Sequence, residues 1–337
     1  MKQYRPLIFK TIGLILILFL TACAANQTAT DPLPSWTDGA SKQQIFDFVA
    51  SVTNSDGSNF VPSNKRIATF DNDGTLWSEK PTYFQLLFIT DRIRSMAADH
   101  PDWKTTQPFQ AVLENDMETI KAAGEHGLIK LTMATHAGMT TEEFESIVNE
   151  WLATARHPST GQAYNSMVFQ PMLELLDYLR ANDFKVFIVS GGSLEFMRPW
   201  TEAVYGIPPD QVVGSSFETR YELRDDKPVL VRLPELHFNN DKVTKPVAIN
   251  RFIGQRPIFA AGNSDGDFEM LKWATSGEGE RLGILVHHTD ADREWAYDRE
   301  SSEGRLVRGL DQADENGWLV VDMARDWQVI YPYQSVE

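Results

Sequence analysis

Cysteine is nearly absent from these 337 residues: Cys23 is the only one. That excludes an intrachain disulfide framework and any multi-cysteine metal centre. Basic residues are scarce beside acids, 31 Lys plus Arg against 47 Asp plus Glu, a formal charge of −16. So acidic a chain argues against nucleic-acid binding, which needs a basic face to neutralise phosphates. Long apolar runs are lacking too, with one exception near the start, so nothing beyond it has the ~20-residue length that spans a bilayer. An apolar fraction of 42% and a charged fraction of 23% are ordinary for globular proteins and exclude disorder and collagen-like architectures. The length suggests two domains, or one large domain carrying an insertion.

The exception is an uncharged run from Thr11 to Ala22 that follows Lys2, Arg5 and Lys10. A basic start and a short apolar core are the layout of a secretory signal, placed at residues 1–22. Leu20-Thr21-Ala22-Cys23 resembles the lipobox of bacterial lipoproteins. That resemblance implies cleavage before Cys23 and a lipid on it, so the membrane is a partner through an anchor. Residues 23–40, small, polar and proline-broken at their start, read as a tether. The expected location is the bacterial cell envelope. Ala24 is not the aspartate associated with inner-membrane retention, which favours the periplasmic face of the outer membrane.

Apolar periodicity divides the rest into strands and amphipathic stretches. Residues 41–53 read as a helix, and Arg66-Ile67-Ala68-Thr69-Phe70 as a strand ending at Asp71-Asn72-Asp73-Gly74-Thr75. Stretches 82–98, 108–126 and 140–156 are helical in spacing. The domain reading is a core part at 41–80, a helical cap at 81–165 and a second core part at 166–337. In that second part Pro171 opens a helix and 184–189 is a buried strand ending at Ser190-Gly191-Gly192. Residues 211–233 read as short antiparallel strands around Asp225-Asp226. Pro246 opens a helix through Ile253, and 257–261, 282–287 and 318–321 are strands. Such alternation predicts an α/β fold with a doubly wound, mainly parallel sheet.

Three strand ends then carry chemistry to the carboxyl edge of that sheet, where ligands bind in open α/β folds. They are Asp71 and Asp73, Ser190, and Gly262-Asn263-Ser264-Asp265-Gly266-Asp267, with Lys242 and Lys245 shortly before the last. A carboxylate at a strand tip can attack phosphorus, and one two residues on can move the proton. With these four motifs in this order, residues 60–290 resemble the haloacid dehalogenase (HAD) superfamily, and cap position and motif style resemble its phosphoserine-phosphatase-like group.

The resemblance implies a phosphomonoesterase acting on small phosphorylated metabolites. Asp71 is its nucleophile through an aspartyl-phosphate and Asp73 its general acid and base. Ser190 and Gly191 hold the phosphate, with Lys245, preferred over Lys242, as the cationic partner. It also implies Mg²⁺, held by the Asp71 side chain, the Asp73 carbonyl and an acid of the last motif. Relatives begin that motif Gly-Asp where this chain has Gly262-Asn263. Asp265 is the expected ligand, with Asn263 and Asp267 as competing choices. Trp77, Tyr83 and Phe84 can hold a quaternary ammonium and Glu79 an amine, or all four can pack the cap hinge. The alternatives are therefore a phosphorylcholine-type phosphatase and a lipoprotein that binds phosphorylated ligands without turnover. His136, His157, His237, His287 and His288 lack a metal spacing and receive no role, and Trp273 and Trp295 read as core.

Overall fold

Seven strands form one sheet in the order β4-β3-β2-β1-β5-β6-β7. They are β1 (Ile67–Phe70), β2 (Lys185–Ser193), β3 (Val212–Arg224), β4 (Lys227–Phe238), β5 (Phe259–Gly262), β6 (Leu282–His287) and β7 (Leu319–Asp322). The computed structural model describes residues 1–3 and 31–334, so the signal run and Cys23 lie outside the described residues. Every neighbouring pair is parallel except β3 with β4. The central strands β1 and β5 are buried at every residue, which is why they read as unbroken apolar runs.

Helices cover both faces: α1 (Ala40–Thr53), α2 (Phe84–Met96), α3 (Phe109–Glu114), α4 (Met117–Ala122), α5 (Gly124–His136), α6 (Thr141–Thr154), α7 (Gln170–Ala181), α8 (Leu194–Tyr205), α9 (Thr244–Ala248), α10 (Phe268–Thr275), α11 (Arg308–Asn316) and α12 (Met323–Asp326). Among the described residues none is long and apolar enough to cross a membrane. The order is the α/β architecture expected, with α2 to α6 lying in sequence between β1 and β2. Two expectations there need correction. The stretch 108–126 is not one helix, because Asn115 turns left-handed (φ 59°) and the Asp116 side chain caps a new helix at the Thr119 N–H. Residues 124–136 form α5, which two glycines, Gly124 and Gly127, hide from a propensity reading.

The antiparallel segment is also longer than read. β3 and β4 run as one ribbon from 212 to 238, turned at Asp225 and Asp226, both at positive φ (51° and 60°). Two such residues make the turn whose twist suits a two-residue hairpin. Midway along β4 the ribbon bonds to the segment between α5 and α6, where the Gly138 N–H donates to the Arg232 carbonyl at 2.8 Å and the Arg232 N–H to the Met139 carbonyl at 2.9 Å. Register sets the site. Phe70 lies opposite Ile188 on one side and Ala261 on the other, so the chain leaves β1, β2 and β5 at one level.

Candidate active site

Asp71 leaves β1 with its N–H donating to the Ala261 carbonyl of β5 at 2.9 Å. The turn behind it is tight: the Thr75 and Leu76 N–H groups both donate to the Asn72 carbonyl, and Gly74 sits at φ +70°. Only glycine fits there. A Cβ on Gly74 would stand 2.0 Å from Asn263 Nδ2 and 2.4 Å from Glu79 Oε1. The turn therefore presses directly on the loop that follows β5.

Lys245, in the first turn of α9, reaches Asp71 Oδ1 at 2.9 Å and Asp267 Oδ1 at 2.5 Å, and all three are buried. Burial by itself would lower the lysine pKa. Asp267 and then Asp71 override it and raise the pKa, so Lys245 is a fixed cation. Lys242 instead lies 69% exposed beside Asp241. Of the two lysines, the structure brings Lys245 to Asp71. Asp71 itself is pushed up to about 7, first by burial and then by repulsion from Asp267, against the pull of Lys245. Asp73 is pushed up to about 6 by burial, opposed first by the Trp77 indole N–H that donates to its Oδ1 at 2.7 Å. A carboxyl that titrates near neutrality suits a group that must give and then take a proton.

Ser190, 1% exposed, accepts the Gly192 N–H on its hydroxyl at 3.0 Å. A point one bond out from Gly192 lies 3.4 Å from Ser190 Oγ, 3.3 Å from Gln85 Oε1 and 3.8 Å from Asp73 Oδ2. Ser190 and Asp73 thus face one small space, and Gln85 of α2 walls it. Sequence reasoning missed Gln85, which has no motif and stands on a helix read only for its apolar face. Its amide is held at both ends. Oε1 accepts the Ser193 N–H at 2.9 Å, and Nε2 faces His136 Nε2 at 3.3 Å. The Thr135 hydroxyl donates to the Leu131 and Thr132 carbonyls, so His136 Nδ1 carries the proton toward it and Nε2 is free to accept from Gln85. Burial, with Arg232 and Arg92, keeps that imidazole neutral.

The last motif departs from the expectation for Asp265. Its carboxylate accepts the N–H groups of Val307, Arg308 and Gly309 at 2.8–3.1 Å and so caps the start of α11. Those bonds commit it to the helix end, and the structure does not bring it to Asp71. Asp267 Oδ2 gathers the Asn263 and Ser264 N–H groups at 3.1 Å while Oδ1 takes Lys245. Asn263, 1% exposed, is the residue of this motif that lies against the catalytic turn. Thr75 donates to its Oδ1 at 3.2 Å, and its Nδ2 donates to Glu79 Oε1 at 2.7 Å.

Glu79 and His288 form a buried layer behind the turn. Tyr297 donates its hydroxyl to Glu79 Oε1 at 2.8 Å, and burial pushes Glu79 up to about 8 against the pull of His288 and that hydroxyl. His288 places Nε2 2.7 Å from the Gly74 carbonyl and Nδ1 3.2 Å from Glu294. Both neighbours are acceptors, so both ring nitrogens carry protons. Burial opposes that charge, but Glu294 and Glu79 raise the pKa. This histidine was given no role from sequence, because its partner carbonyl is 214 positions away. Trp77 is 1% exposed and stacks on Trp200 at 4.4 Å, and Phe84 is fully buried against it, so both are packed in the core.

Residues 68–272 match the family model of haloacid dehalogenase-like hydrolases. Among solved structures, a protein of unknown function from Bordetella pertussis Tohama I is 15% identical, covering 77% of this chain and 99% of its own, with a TM-score of 0.47. A phosphoserine phosphohydrolase-like protein from Francisella tularensis is 18% identical over 66% of this chain and 87% of its own, TM-score 0.37. A probable phosphoserine phosphatase from Vibrio cholerae is 15% identical over 73% and 64%, TM-score 0.39. No curated protein matches. The family match spans both acidic motifs, the serine loop and the buried lysine, and by it this chain belongs to the haloacid dehalogenase-like hydrolases.

Proposed function

We propose that the chain is a phosphomonoesterase for small phosphate esters, dependent on a divalent cation. The observation that carries this reading is the cluster at the tip of β1. Asp73 faces one small space with the Ser190 hydroxyl, and two residues before it Asp71 is held by a buried ammonium. A carboxylate oxygen of Asp71 attacks phosphorus, the ester P–O bond breaks, and Asp73 gives its proton to the leaving oxygen. Asp73, now a carboxylate, takes a proton from the water that attacks the aspartyl-phosphate, and phosphate departs with Asp71 regenerated. Lys245 offsets charge on the phosphoryl oxygens, and Ser190 with the Gly191 N–H cradles them.

The residues fit Mg²⁺. Asp71, Asp73 and Asp267 interact repulsively in a buried site that Lys245 alone balances. Among the described residues no group of three or more His, Cys, Asp or Glu is placed to hold a metal, so a cation here needs other oxygens besides. The Asp71 carboxylate, the Asp73 carbonyl and the Asn263 amide oxygen would hold the ion, being hard donors of the kind Mg²⁺ takes. Its charge would offset the repulsion between phosphate and the two aspartates. Phosphate release from p-nitrophenyl phosphate and a panel of small esters, with Mg²⁺ and with EDTA, tests the reading. Metal-dependent release is expected from the wild type and none from Asp71→Asn. Full activity in that variant would sink the mechanism.

We also propose that the protein is lipid-anchored in the cell envelope through Cys23, on the motif that precedes it. Incorporation of a labelled lipid precursor by the wild type but not by Cys23→Ala is the expected result.

A further inference from the structure

The cation reading takes an oxygen donor from Asn263, and an amide has a wrong end. Its oxygen can meet a cation, whereas its NH₂ group repels one. Something must therefore choose the end. Asn263 begins one residue beyond β5, beside the strand that ends in Asp71, and its amide lies against Gly74 so closely that no Cβ fits between them. Thr75 cannot make the choice, since a hydroxyl both donates and accepts. Glu79 can. Its Oε1 receives the Asn263 NH₂ at 2.7 Å and the Tyr297 hydroxyl at 2.8 Å, in a setting 1% exposed. Since Oε1 is the acceptor of two donors, a proton taken up by Glu79 resides on Oε2 and leaves both bonds in place. Gly304 closes the far side, where a Cβ would come 2.0 Å from Oε1, so the carboxyl has nowhere to swing.

We propose that Glu79 is a positioning residue that locks the Asn263 amide with its oxygen toward the cation site. This rests on the cation reading above and adds a requirement to it. Ligand orientation thereby becomes a property of Glu79 and Tyr297, and it holds whether or not Glu79 carries its proton.

Mn²⁺ binding to the full-length protein without substrate, followed by the electron paramagnetic resonance of free Mn²⁺, tests the idea apart from turnover. Glu79→Met removes the acceptor at similar length and is expected to weaken Mn²⁺ binding about 10–100-fold, the usual effect of losing a group that orients a ligand. Glu79→Gln keeps an oxygen at the same place and is expected to bind within about threefold of wild type, well short of that loss. The decisive variant is the double, Glu79→Met with Asn263→Asp. A carboxylate has two equivalent oxygens and needs no orienting, so binding should return. If Glu79→Met fails to fold, Tyr297→Phe releases one of the two bonds on Oε1. A smaller loss is then expected, again reversed by Asn263→Asp. Wild-type affinity in folded Glu79→Met, or a loss that Asn263→Asp leaves unchanged, overturns the inference alone. Absence of Mn²⁺ binding by the wild type overturns the cation reading and this inference with it.

Discussion

Replacing Lys245 by methionine removes the one buried cation among three buried carboxyls, and its effect can be worked out from the contacts. The ammonium lies 2.9 Å from Asp71 and 2.5 Å from Asp267, with the lysine and Asp267 almost wholly shielded from water. Asp267 keeps two backbone N–H donors on Oδ2 but loses its partner on Oδ1. Removing one member of such a pair costs about 3–5 kcal/mol, because the partner's charge stays buried. Against a total of about 5–15 kcal/mol the variant remains folded but is weakened. The loss depends on pH in a definite direction. Burial pushes Asp71 up to about 7 in the fold, well above its ordinary carboxylate value, so across that interval the folded chain holds the extra proton and its stability falls as pH rises. Lys245 is what pulls Asp71 down. Without it the folded pKa climbs further, and the fall in stability continues above neutrality. Urea denaturation at about pH 5 and about pH 8 should therefore show the larger loss at the higher pH. Equal losses at the two pH values, or a total under about 1 kcal/mol, would refute the electrostatic account. Turnover should drop about 10²–10³-fold, the range for one donor aimed at developing oxyanion charge.

A saturating divalent cation should stabilise the protein by about 2.7 kcal/mol at one hundred times its dissociation constant, and by less at about pH 5, where Asp71 holds a proton that must leave; thermal melts with and without Mg²⁺ at two pH values check this, and a shift independent of pH would count against Asp71 as a ligand. Gly74→Ala puts a methyl 2.0 Å from Asn263 at a left-handed φ, and a loss of about 1–3 kcal/mol in chemical denaturation is expected together with weaker Mn²⁺ binding. Asp265→Ala takes the cap from α11 and should lower stability by about 1–2 kcal/mol while leaving Mn²⁺ affinity near wild type, which separates it from Asn263.

The sheet was legible because its signal is repetitive. β1, β2, β5 and β6 are apolar runs bounded by turn residues, and parallel pairing with helical crossovers follows from their alternation with helices. The positions of Asp71, Asp73, Ser190 and Lys245 were legible for the same reason, since each stands at or near a strand end whose register the alternation fixes. What escaped was whatever depends on contacts across the chain. Gln85, His136 and Ser193 come from three elements, and nothing local to Gln85 marks it as a wall of the site. His288 and Glu79 gain their importance from Gly74, Tyr297 and Asn263, all brought in by folding.

The choice among Asn263, Asp265 and Asp267 turned on a single turn of backbone. In an extended chain residues at i, i+2 and i+4 share a face, and all three would be candidates for one cation. Residues 265–267 instead form a 3₁₀ turn, opened by a capping box in which Ser264 and Asp267 bond each other's backbone N–H region. With three residues per turn, positions two apart fall on different sides. Asp267 is thereby folded back onto the Asn263 and Ser264 N–H groups and onto Lys245, whereas Asp265 swings out to the start of α11. Asn263, still in line with the strand, stays against the catalytic turn. A residue that looks chemically weaker than its acidic neighbours thus lies against the turn that follows Asp71, and the Glu79 carboxyl stands behind it.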